Sequence, residues 1–138
     1  MPKQPLAVNV VVCQEVLTEA TNLISAIRIF DTLTIAIGND FAHFYVLTTA
    51  FSNPGDLDPH TLKVTMNRWS GEHVASAPEY GFTYGYNLDS ASPGGFRLTT
   101  EFNVDLRPLG GVLGSFMIWI FLDGAQVAKA PITLRLRR

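Results

Sequence analysis

Three histidines, His43, His60 and His73, are the side chains here best suited to acid–base chemistry or metal binding near neutral pH. Asp40 lies three residues before His43, and Asp58 two before His60, so either pair could donate two ligands. No third or fourth ligand follows at the short spacing of local metal motifs, and the expectation is solvated loop and strand-end residues. Asn53, Asp56 and Asp58 share one turn-rich loop, and calcium favours such clustered oxygens. The same residue types are turn formers through bonds from side chain to backbone, and the turn reading is preferred. Ser115, in Gly114-Ser115-Phe116, lacks the second glycine and the strand-to-helix turn of a nucleophile elbow. Cys13 has no cation or helix N-terminus beside it to generate a thiolate. Glu101 and Asp105 lie on the outward side of one alternating strand, the ordinary place for charge. The sequence therefore predicts no catalytic residue, cofactor or metal. An enzyme is left only as an alternative, its site assembled in three dimensions from the scattered His and Asp residues.

Aromatic residues offer binding chemistry instead. In Tyr80-Gly81-Phe82-Thr83-Tyr84-Gly85-Tyr86, rings recur at every second position. An extended chain would line Tyr80, Phe82, Tyr84 and Tyr86 on one face, a platform on which sugars or peptides could stack. The competing and preferred reading is a segment that arches over a sheet end and plugs the core, its glycines acting as bends. A second group is Met117, Trp119 and Phe121, on the opposite face of their strand from Phe116, Ile118 and Ile120. Three large apolar side chains on the outer face need cover, and the sequence predicts homodimerisation or docking to another protein there.

Period-two alternation runs through the elements that must position these residues, and helical periodicity is almost absent. Leu6, Val8, Val10 and Val12 share one face of a first strand. Positions 23–37 predict two short strands around Asp31, and Phe44 to Phe51 a strand apolar on both faces. Leu62, Val64 and Met66 alternate with Lys63, Thr65 and Asn67. Leu98, Thr100, Phe102, Val104 and Leu106 alternate with Thr99, Glu101, Asn103 and Asp105, one face inward and one solvated. The apolar run Phe116 to Leu122 ends in Asp123-Gly124, a pair suited to the positive φ angles of a tight hairpin. A last strand points Ile132, Leu134 and Leu136 inward and Thr133, Arg135 and Arg137 outward, as a charged edge strand. Only Gln14 to Thr21 suggests a helical piece. About eight strands without helical crossovers predict an all-β, antiparallel two-sheet β-sandwich.

The whole chain of 138 residues, 1–138, is one domain's length, and 47% hydrophobic against 16% charged residues excludes disorder. A net charge of −2 offers no global field for nucleic acid, although Lys129, Arg135, Arg137 and Arg138 cluster near the end. One cysteine makes no internal disulfide and points to a reducing, cytoplasmic setting. The apolar stretch from Leu6 to Cys13 is too short for a membrane span and reads as a strand, not a signal.

Two stretches carry a family resemblance. Val12-Cys13-Gln14-Glu15, then Asn22 to Ile27 with Phe30-Asp31, make up one. Gly114-Ser115-Phe116 through Leu122-Asp123-Gly124 to Ala130-Pro131-Ile132 make up the other. The chain resembles a family of small, uncharacterised bacterial proteins that fold as a single immunoglobulin-like sandwich. That resemblance implies an immunoglobulin-like fold and brings no activity with it; the tyrosine–glycine segment departs from its pattern. The function expected is a non-enzymatic protein-interaction or scaffold module of the bacterial cytoplasm that self-associates. The alternative is a small-ligand module built on the Tyr80–Tyr86 ladder.

Overall fold

The computed structural model describes residues 4–18, 24–29, 31–36, 38–85, 94–109 and 114–137. Their ten strands form two sheets, with no α-helix among the described residues and one 3₁₀ turn at Arg107–Leu109. The strands are β1 (Ala7–Thr18), β2 (Ile24–Ile29), β3 (Thr32–Ala36), β4 (Phe41–Phe51), β5 (His60–Arg68), β6 (His73–Ser76), β7 (Tyr80–Phe82), β8 (Gly95–Asp105), β9 (Ser115–Leu122) and β10 (Ala125–Arg137). One sheet has the order β2-β1-β4-β8. The other runs β3-β10-β9-β5-β6, with β7 continuing the β6 edge along β5. The all-β class with two sheets is as the alternation predicts, although one sheet curls into a half-barrel.

Alternation decides which side chains meet between the sheets. On β9, Phe116, Ile118, Ile120 and Leu122 are at most 3% exposed, whereas Met117, Trp119 and Phe121 on the other side are half-buried. From β5 come Leu62, Val64 and Met66, and from β4 and β8 Phe44 and Phe102, whose rings stack with centroids 5.4 Å apart. Each large apolar side chain so buried stabilises the fold by roughly 1.5–3 kcal/mol. Ile132 and Leu134 on β10 face inward as expected, and Arg135 outward; the Leu136 and Arg137 side chains lie outside the described residues.

Four features differ from expectation. Gln14 to Thr18 is not helical but continues β1, because β2 pairs with it (Glu15↔Ile27, Leu17↔Ser25); Thr21 lies outside the described residues. Two strands exceed the expected number: β6 and β7 are short, separated at Pro78, and legible only once β5 lies beside them. β10 is no edge strand, for it lies between β3 and β9. Its pairing with β3 is parallel, Thr133↔Thr32 through Arg137↔Ala36, so the sheets are not wholly antiparallel. Parallel pairing needs a long connection rather than a helix, and the strands between β3 and β10 supply that length.

Candidate functional site

His60 opens β5 with its side chain directed between the sheets, where it is 3% exposed. Asp123 and Gly124 join β9 to β10 with φ of 51° and 83°, the left-handed pair of a two-residue hairpin. That hairpin docks on β5: the Asp123 N–H donates to the Thr61 carbonyl (2.9 Å), and Asp123 Oδ1 accepts the Thr61 N–H (2.9 Å). The same carboxylate places Oδ2 at 2.6 Å from His60 Nδ1. On the other side of the ring, Asp56 sets Oδ2 at 3.0 Å from Nε2. Two carboxylates facing two ring nitrogens are satisfied together only if both nitrogens donate, which defines an imidazolium. Burial pulls the ring toward neutrality, but the bonds and charges of Asp123 and Asp56 outweigh it, and the His60 pKa is raised.

Phe82 and Tyr84 close over this cluster, their centroids 5.7 and 5.2 Å from the imidazole. The Tyr84 hydroxyl is buried and makes no hydrogen bond among the described residues. Burial, reinforced by the charges of Asp56 and Asp123, pushes its pKa up. A histidine between carboxylates has the parts of a general base, but both nitrogens are engaged and the ring has no open approach. Chemically it is a buried ion cluster that ties the 52–59 loop, the β9–β10 turn and the start of β5 together.

An accessible site lies on the outer side of the same sheet. Across the strands, Trp119 sits between Thr65 and Lys129, Phe121 between Lys63 and Gln126, and Met117 between Asn67 and Pro131. The Trp119 and Phe121 rings meet edge to face, 6.1 Å between centroids. They line a groove of about 340 Å³ with Lys63, Asn67, His73 and Glu79. Thr65 and Asn67, although on the outer side, are buried and bonded to each other, Asn67 Nδ2 donating to Thr65 Oγ1 at 2.9 Å. The groove thus has a rigid polar floor, an aromatic wall and a rim of both charges. Among the described residues neither Lys63 nor Glu79 forms an ion pair.

The Tyr80–Tyr86 segment is divided by burial. Phe82 and Tyr84 are 8% and 4% exposed and belong to the core, while Tyr80 is 49% exposed and stacks on Phe96. Phe96 in turn stacks on Phe82 at 3.9 Å, so these rings bridge β7 in one sheet and β8 in the other. Tyr86 lies outside the described residues. The three histidines do not converge: His43 pairs with Glu101 on the surface (2.7 Å), and His73 lines the groove. Among the described residues no group of three His, Cys, Asp or Glu side chains is arranged to hold a metal ion. Cys13 is fully buried, and burial raises its thiol pKa. Spacing alone missed the His60 cluster because Asp123 is 63 residues away. Its traces in the sequence are Asp56, four residues before His60, and the Asp123-Gly124 turn, which signals a hairpin and not a ligand.

No family model matches the chain, and no curated protein matches it. Among solved structures it is similar to the Pseudomonas fluorescens alkylpurine DNA glycosylase AlkC bound to DNA containing an abasic site analog, with 13% sequence identity and a TM-score of 0.47. That likeness covers 74% of this chain, which spans 27% of the glycosylase chain.

Proposed function

We propose that this chain is a non-catalytic protein-interaction module that docks a partner through the groove beside Trp119 and Phe121. The observation that carries the reading is two half-buried aromatic rings that line a recess beside a fixed Asn67–Thr65 floor, on the outer side of the sheet. Aromatic anchors in a pre-formed recess with a polar rim are what protein interfaces use as their energetic centre. Lys63 and Lys129 flank the rings against one carboxylate, Glu79, so the groove favours a segment pairing an apolar side chain with Asp or Glu. The sealed surroundings of His60 support binding over catalysis, because no substrate could reach its nitrogens. The two sheets are taken here as an immunoglobulin-like sandwich of the bacterial family resembled above, working in the cytoplasm.

Selection of a random displayed peptide library on the immobilised protein tests this. Enrichment of sequences joining an aromatic or long aliphatic residue to an acidic one is expected, and Trp119→Ala should abolish it. No enrichment, or the same enrichment on Trp119→Ala, overturns the reading.

A further inference from the structure

The sheet edges of this molecule are not equally protected. Along β5 the edge is two short strands, β6 and β7, interrupted at Pro78, which has no N–H to offer a newcomer. At the far side of that sheet, β3 is only five residues long. β8 differs from both. It runs unbroken for 11 residues, roughly 35 Å at the usual strand rise. It pairs with β4 along one side only. Beyond the contact of Gly95 O with Gly85 N, no backbone bond among the described residues reaches its other edge.

The residues along that edge are self-complementary. Arg97, Thr99, Glu101 and Asn103 are exposed on one face. Suppose a second copy pairs antiparallel with β8 about a two-fold axis at Thr99. Arg97 then faces Glu101 of the other copy, twice over, and Thr99 faces Thr99; Gly95, whose carbonyl already accepts the Gly85 N–H, lies outside the paired stretch. Opposite charges and threonine pairs are favourable cross-strand neighbours. Axes at Arg97 or Glu101 would set like charges face to face, and axes at Leu98 or Thr100 would leave both charges without an opposite partner. On the inner face the same register sets Leu98 beside Thr100 and Phe96 beside Phe102. It would cover the half-exposed Phe96 and Leu98. Arg97 has no ion-pair partner among the described residues, and Glu101 engages His43 through one oxygen only, Oε1.

We infer that β8 is a self-association edge: two copies join by antiparallel β8–β8 pairing centred on Thr99, extending the four-stranded sheet to eight strands across a two-fold axis. This surface is separate from the Trp119 groove and does not depend on it.

Sedimentation velocity over a concentration series tests the pairing with complementary charge variants, their folding checked by circular dichroism. Arg97→Glu or Glu101→Arg alone creates two like-charge contacts and should weaken self-association by about tenfold or more. An equimolar mixture of the two single variants restores opposite charges at both positions and should form a heterodimer, and the doubly swapped chain should self-associate like the original. Trp119→Ala should leave self-association unchanged while abolishing peptide capture. The inference is overturned if the original chain is monomeric throughout, if the single variants associate as it does, or if their mixture stays monomeric. It also falls if Trp119→Ala, and not the charge variants, dissolves the dimer.

Discussion

At the scale of single residues, His60 is where charge and fold are most tightly coupled. Its folded pKa lies above the value of about 6.5 for a free imidazole, so the folded chain binds this proton more tightly than the unfolded one. The stabilisation is therefore complete below the unfolded pKa and is lost as pH rises through the folded value. Urea midpoints should fall as pH is raised from about 6 through the raised pKa, more steeply than for His60→Gln, which cannot titrate. Equal pH slopes for the two proteins would show that the imidazolium contributes nothing. Removing one partner of a buried charge cluster costs on the order of 3–5 kcal/mol, so Asp56→Ala should be among the more damaging substitutions at neutral pH. Tyr84 presents the opposite case. Its hydroxyl was desolvated without gaining a hydrogen bond, an arrangement that costs about 1–3 kcal/mol. Tyr84→Phe keeps the ring on His60 and should leave the melting temperature equal or higher; a clear drop would reveal a partner for that hydroxyl.

At the scale of elements, β9 divides its two faces between different tasks. Ile118 is fully buried, and Ile118→Ala should cost about 2–5 kcal/mol in urea denaturation through lost transfer energy and a cavity. Trp119, one residue on, faces outward and half-buried. Trp119→Ala should cost less stability than Ile118→Ala while removing the groove's wall; the reverse order would move Trp119 into the core. This division was legible beforehand, because a strand's period of two depends on nothing beyond the strand itself. The Asp123-Gly124 turn was legible for the same local reason. β6 and β7 were not, since four- and three-residue strands carry too few alternations and exist by pairing with β5. Gln14 to Thr18 misled because its local composition is ambiguous, and a neighbouring strand, not propensity, decides it. The His60 cluster shows the limit most clearly. Asp56 and His60 sit four residues apart in plain view, but their meaning depends on a carboxylate delivered by the turn of another hairpin.

At the scale of the whole molecule, the ion cluster and the single thiol belong to different sheets, and whether the two sheets open together is a measurable property. The ion cluster sits at the end where β5 begins and β9 turns into β10, whereas Cys13 lies within β1, opposite Tyr45 and Ile29. Cys13 is fully buried with a raised pKa, so a thiol reagent reaches it only when the fold opens. A continuous apolar core runs from Leu62, Phe82 and Tyr84 beside His60 to Val12, Leu33 and Ile35 at the far strands. Such packing transmits a local loss to the whole, and small single domains open in one cooperative step. Losing the His60 proton should therefore raise the exposure of a thiol in a different sheet. Labelling of Cys13, measured for the original chain and for His60→Gln across pH, separates this effect from the reagent's own dependence on thiolate. The ratio of His60→Gln to original labelling rates should be large at pH 6 and shrink toward higher pH, tracking the loss of stability in urea. A ratio constant with pH would mean that β1 opens independently of the His60 end, and that the two sheets come apart in pieces.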